Sequence, residues 1–187
     1  MERLLQVSAE LLEEVGIDGF NTNLLAKRAG VAVRAIYRYF PNKWAILVAM
    51  AERVSELERS WIGDLKHYST TEDWRSAVYQ AIDGYYEAAR RHRGYAALRA
   101  ASQASPALRE IDDRNNLELQ YDLAEGLRGA GLELEDAKLH ALCQVIIESA
   151  SRVLDIALQS EPAKAALLVS ELKRMLVNLL QDYVPSP

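Results

Sequence analysis

Apolar positions recur three and four residues apart along almost the whole chain, and no strict alternation of the strand kind competes with them. Glycine and proline are few, so the spacing predicts an all-α fold with short connections. Leu4, Leu5, Ala9, Leu11, Leu12 and Val15 make one broad stripe on a first helix that Gly16 ends. Asn21 is an N-cap for a short second helix to about Ala29, Gly30 supplies a turn, and a third short helix runs from about Val33 to Tyr39. Pro41-Asn42-Lys43 breaks the chain and starts a long fourth helix, to about Tyr68, that connects two domains. Ser69-Thr70-Thr71 followed by Glu72-Asp73 puts acids in a first turn, where the helix dipole favours them, and the helix begun there runs to about His92. Gly94, Ser105-Pro106 and Gly129-Ala130-Gly131 then divide the chain into helices near 95–103 and 106–128. Two long segments follow, about 134–160 and 162–183.

The last two helices are apolar on more than one side. Leu168, Leu172, Met175, Leu176, Leu179 and Tyr183 form one face of the final helix, and Val169, Val177, Leu180 and Val184 widen it. The preceding helix behaves alike, with Leu139, Leu142, Ile146, Val153 and Leu154 on one side and Ile147, Ile156 and Leu158 beyond it. Helices of this kind are buried on more than one side. Ile146, Val153, Leu154, Leu168, Leu172, Met175, Leu176 and Leu179 are therefore candidates for a homodimer interface, a four-helix contact between two copies.

Composition narrows the function. The longest uncharged apolar run is the eight residues from Trp44 to Ala51, far short of the roughly 18 a membrane span needs. Met1-Glu2-Arg3-Leu4 has no basic stretch leading into an apolar one, so a cytoplasmic protein is expected. The single cysteine, Cys143, forms no internal disulfide. His140 and Cys143 lie three apart with no nearby third ligand, so core packing is favoured over metal binding, and no cofactor is expected. There is no nucleophile elbow, and the glycine-rich run Gly126–Gly131 has no strand before it, which argues against an enzyme.

A net charge of −5 argues at first against a nucleic-acid partner. Its distribution reverses that argument. Gly19 to Ala51 holds no Asp or Glu while Lys27, Arg28, Arg34, Arg38 and Lys43 make it +5, which leaves −10 on the rest of the chain. A basic island on an acidic protein is the footprint of a localised DNA-reading surface, or else simply a solvated face. The spacing inside the island favours the first reading. Two short helices crossing steeply need a small residue at their contact, a glycine in the turn and an apolar anchor beyond it. Ala26, Gly30 and Ile36 supply these, and Leu25, Val31 and Phe40 are further apolar positions to close a small core over the first helix. Val33, Arg34, Ala35, Tyr37 and Arg38 are left on the outward side of the third helix. Arginine pairs with guanine, small apolar side chains meet thymine methyls and tyrosine hydroxyls bond phosphates.

The run from Gly16 to Val31, followed by Ala35-Ile36-Tyr37-Arg38-Tyr39-Phe40-Pro41-Asn42-Lys43, closely resembles the DNA-binding domain of the TetR family. The resemblance covers about the first 50 residues, and the remainder matches only in length and helical character. It implies a helix-turn-helix domain over 1–45 and a helical dimerisation and effector-binding domain over 46–187. It further implies phosphate contacts from Asn21 and Thr22, aromatic contacts from Tyr37 and Tyr39, an approach of Lys43 to the DNA backbone, and base contacts near Arg34 and Ala35. Asn23 and Lys27 complete the candidate set. Two departures stand out: Ala32 replaces the serine that commonly caps the third helix, and Trp44 replaces an acid and is expected to pack between domains. The partners implied are double-stranded operator DNA, a second copy of the chain and a small-molecule effector.

In the C-terminal part, Trp74, Tyr85, Tyr86, Arg99, Tyr121, Cys143 and Glu148 are the candidate effector-binding residues. Aromatics with a few convergent polar groups suit a ligand pocket and equally suit ordinary core. A regulator that answers to a protein partner, with no small-molecule effector, fits the same pattern.

Overall fold

The computed structural model describes residues 1–62, 74–102 and 105–183. Among these residues the chain is helical throughout: α1 Glu2–Gly19, α2 Thr22–Ala29, α3 Val33–Tyr37, α4 Lys43–Ile62, α5 Trp74–Arg91, α6 Tyr95–Ser102, α7 Pro106–Gly129, α8 Asp136–Leu158 and α9 Pro162–Gln181. The all-α expectation holds, with differences at the ends of elements. Gly16 kinks α1 instead of ending it (φ 63, ψ −178), and the helix resumes to Gly19. The third helix stops at Tyr37, two residues before its expected end. The expected end of the fourth helix near Tyr68 and the start of the next at Ser69 to Asp73 lie outside the described residues.

The helices group into two compact units. One holds α1 to α3, α4 through Leu57, and the stretch from Arg90 to Asp112 that contains α6. The other holds the end of α4 from Glu58, α5 through Ala89, and the chain from Asp113 onwards. α6 packs on α1, so the stretch from Arg90 to Asp112 joins the N-terminal helices in the first of these units.

The first unit is built on a dry centre. Leu11, Leu12, Phe20, Leu25, Ile36, Ile46 and Leu47 are fully buried, and each such side chain contributes roughly 1.5–3 kcal/mol by leaving water. Val31, expected in that core, is instead 40% exposed. Just before α6, Gly94 lies against α1: its φ of 73 favours glycine, and an added Cβ would lie 2.6 Å from the Ala9 carbonyl oxygen. Beside it an open-sided cavity of about 420 Å³ is lined by Leu5, Ala9, Met50, Val54, His92 and Tyr95, among others, with Arg53, Arg91, Arg93, Glu2 and Glu10 also around it. Arg53 pairs with Glu2 at 3.0 Å and Arg93 with Glu10 at 3.7 Å.

In the second unit α8 packs along α9. Ile146, Leu154, Leu172 and Leu176, expected at a homodimer interface, are already buried within the single chain, each 6% exposed or less. Val153, Leu168 and Leu179 are half-buried and Met175 is 43% exposed. Val145, Ile156 and Leu167 add apolar surface on α8 and α9 that the sequence-based set did not contain.

Two measurements test this packing. In urea denaturation of the full chain, Gly94→Ala is expected to cost about 2 kcal/mol or more, because the new methyl meets backbone. Gly131→Ala, also at positive φ (89) but in open space, should cost only about 1 kcal/mol. His92 supplies a pH test. Burial first, and then the neighbouring Arg53, holds its imidazole below the ordinary histidine range. The unfolded chain therefore takes up a proton that the folded chain refuses, so stability is lost as pH falls through about 6.5. His92→Gln should flatten the fall in Tm between pH 7 and pH 5.5, and an unchanged slope would assign the loss to other groups.

Candidate nucleic-acid interface

Asn21 sets the start of α2. Its backbone is extended, its Oδ1 accepts from the Leu24 N–H at 2.9 Å, and its side-chain amide donates to the Gly19 carbonyl at 3.1 Å. The helix closes at Gly30, left-handed at φ 68, where Val31 N–H donates to the Ala26 carbonyl at 3.0 Å and Gly30 N–H to that of Lys27 at 3.4 Å. This tight reversal brings α3 against α2. Ile36 enters the core as the anchor, and the rest of the helix is left at the surface. The N-cap of α3 is Ala32, which makes no side-chain capping bond, as expected from the missing serine.

The candidate residues occupy distinct environments. Asn21, Asn23, Lys27, Arg34, Arg38, Tyr37 and Tyr39 are exposed, the two tyrosines by more than half, while Val33, Ala35 and Lys43 are half-buried. Thr22 is buried, and its hydroxyl lies 3.2 Å from the Tyr37 hydroxyl. A residue expected to face phosphate thus holds in place the ring oxygen expected beside it. Arg38 lies over the Tyr39 ring, 5.7 Å from its centroid. Lys43 donates to the Ile17 carbonyl at 3.1 Å and stands 5.3 Å over the Trp44 ring. Trp44, expected to pack between domains, is 37% exposed. The ammonium of Lys43 therefore ties the start of α4 to the last turns of α1 and keeps further N–H donors.

The charge pattern is not quite the one the sequence offers. Arg28 forms a two-pronged pair with Glu14 of α1, at 2.8 and 2.6 Å, and this bonding holds the Glu14 carboxyl below the usual range. Among the described residues Lys27, Arg34 and Arg38 meet no carboxylate. Spacing along the chain does not reveal the Glu14 pair, since the two residues stand fourteen positions apart on different helices. Asn42 is a further residue that the sequence reading took only as part of a break. Its Oδ1 accepts from the Ala45 N–H at 3.0 Å and so caps α4, and its position before a helical run was the available signal.

The arrangement is a helix-turn-helix with one exposed basic face, and two family descriptions match it. "Bacterial regulatory proteins, tetR family" covers residues 4–50, and "Tetracyclin repressor-like, C-terminal domain" covers residues 73–180. The chain belongs to the TetR family. The first match covers the helix-turn-helix, and the second runs from α5 into α9. Among relatives of this TetR-family chain, the tetracycline repressor protein class C of Escherichia coli is 34% identical over 103 residues, which are 50% of this chain and 44% of that protein. The nucleoid occlusion factor SlmA of Glaesserella parasuis is 35% identical over 82 residues, 43% of this chain and 41% of that one. The chain spans less than half the length of these curated relatives. A TetR-family transcriptional regulator from Streptomyces coelicolor superposes over 98% of both chains, with a TM-score of 0.70 and 25% identity. No helix among the described residues is long and apolar enough to cross a membrane.

The seven candidate effector residues are not drawn to one point. Arg99 sits in the first unit, buried and bonded to Asp112, so it is spent on an ion pair. In the second unit Tyr85 is buried and donates to Glu58 Oε1 at 3.1 Å, while Asn115 donates to Glu58 Oε2 at 2.6 Å. The Asn115 Oδ1 is buried and has no hydrogen-bond partner among the described residues. Glu148 accepts from Asn116 and Gln120, both at 3.4 Å. Tyr121 is exposed and stands edge-on to His140, 5.6 Å between centroids. Cys143 is fully buried, and burial pushes its thiol up to about 11. Trp74 and Tyr86 are half-buried.

Glu14→Gln is expected to release Arg28 for phosphate. Affinity for any duplex should rise, and the slope of log K against log salt should steepen by about 0.9, one further phosphate neutralised. Fluorescence anisotropy across a salt series reads both, and an unchanged slope would place Arg28 away from the DNA.

Proposed function

We propose that the chain is a sequence-specific repressor, responsive to a small molecule, that binds a palindromic operator as a homodimer in the cytoplasm. The observation that carries this reading is the face of α2, α3 and the start of α4, where Lys27, Arg34, Arg38, Tyr37 and Tyr39 stand exposed on an acidic protein. Lys27, Tyr37, Tyr39 and Lys43 hold phosphates and fix the register, with Asn21 and Asn23 at the start of α2 beside them. Thr22 acts through Tyr37. Arg34, with Val33, Ala35 and Arg38, reads base edges in the major groove. Two such helices enter successive major grooves about 34 Å apart when two copies pair.

The pairing surface is the apolar remainder of α8 and α9: Val145, Val153, Ile156, Leu167, Leu168 and Met175, with Leu179 at its edge. The second unit senses the effector, and the relative named for tetracycline supports a small-molecule response. The effector shifts the population only by preferring the pair whose recognition helices are wrongly spaced for DNA. Occupancy of the operator then blocks transcription, with no chemical step.

The test is selection of duplexes from a random library by the full chain, with the Arg34→Ala, Tyr37→Ala double variant as control. A two-fold symmetric motif enriched by the wild type and absent with the variant is expected, together with a dimer by light scattering at micromolar concentration. A monomer, or a motif that the variant enriches equally, contradicts the reading.

A further inference from the structure

The first turn of α3 carries more apolar surface than its own packing uses. Ile36 takes the anchor position and is fully buried. Val31 is 40% exposed, Ala32 is exposed and offers no capping group, and Val33 and Ala35 are half-buried on either side of Arg34. The one other cation of this helix and its end, Arg38, lies over the Tyr39 ring. The first turn is the part of a recognition helix that meets base edges. In this chain that turn presents methyl groups around a single guanidinium.

Valine and alanine carry no side-chain donor or acceptor, and of the four bases only thymine offers an apolar group in the major groove, its C5 methyl. Against guanine, adenine or cytosine the same side chains would strip water from base-edge donors and acceptors and return no hydrogen bond, which is costly. We propose that α3 reads its half-site chiefly through thymine methyls, with Val33 and Ala35 packed on the C5 methyls of thymines beside the one guanine that Arg34 takes. The inference rests on the DNA-reading role given above and adds the chemistry of the sequence read. Val31 and Ala32 extend the apolar surface at the leading end of the helix, where the common serine would have offered a hydroxyl.

Deoxyuridine differs from thymidine in this groove only by the missing methyl, so it isolates the contact. The full chain is put through two parallel selections, one from a random duplex library containing dT and one in which dU replaces dT. The dT library is expected to enrich half-sites with thymine next to a guanine. The dU library should keep the guanine and lose the preference at the neighbouring positions. On the duplex enriched from the dT library, a single dT→dU change at such a position should weaken binding about fourfold, the effect of one buried methyl-sized group. In Val33→Ala the same change at the position Val33 covers should cost less than about twofold, since part of the contact is already gone. The same motif from both libraries, or dU tolerated throughout the half-site, would overturn the inference while leaving operator binding in place. Enrichment from neither library would remove operator binding itself, and the thymine assignment with it.

Discussion

The exposed basic surface depends on the apolar contacts that seat α2 on α1 and α3 on α2. A helix of five residues such as α3 has no stability of its own, because nucleating so short a helix costs more than its few hydrogen bonds return. Its direction is set from below by Ile36 and from behind by Leu25 and Ala26, on a floor of Leu11, Leu12 and Phe20, all 2% exposed or less. The glycine at 30 allows the chain to reverse in two residues, and the Asn21 cap fixes where α2 begins. Lys43 closes the arrangement through the Ile17 carbonyl, just past the kink at Gly16. Loss of any one of these loosens the angle at which Arg34 is presented.

Electrostatics then decide what such a surface can do. The chain is acidic as a whole, yet Gly19 to Ala51, which holds the helix-turn-helix, carries five basic residues and no acid, a local positive field of the kind that draws phosphate. Glu14 trims that field by holding Arg28, so in the proposed complex the phosphates fall mainly to Lys27 and Lys43, with Tyr37 and Tyr39 beside them. A moderate count of phosphate contacts suits a regulator that must leave its site again, since each contact adds to affinity everywhere on the genome. In the proposed complex discrimination comes from the base edges, where Arg34 stands between Val33 and Ala35.

The helices and the helix-turn-helix were legible in the sequence because both rest on local signals. Apolar spacing gave the element types, and Ala26, Gly30 and Ile36 gave the turn. What escaped was tertiary. Val31 reads as core by its type, yet its N–H is taken by the Ala26 carbonyl in the closing turn of α2, and the side chain remains at the surface. The partner of Arg28 and the seat of Thr22 under Tyr37 depend on crossings between helices that periodicity does not encode. The packing of α6 on α1, with Gly94 set against Ala9, joins residues far apart in sequence and is equally absent from the local pattern. Residues on α8 and α9 showed the same limit. A doubly apolar helix announces that it is buried twice, but Leu172 and Leu176 spend their burial inside one chain.

The central claim is that DNA meets the segment from Asn21 to Lys43. Amide hydrogen exchange of the full chain, with and without a random-sequence duplex at low salt, reads this directly, because phosphate contacts form there without need of the correct operator. Added protection in peptides spanning Asn21 to Lys43 is the result this account predicts, with little change in α8 and α9. Protection that appears elsewhere and leaves that segment unchanged would contradict it.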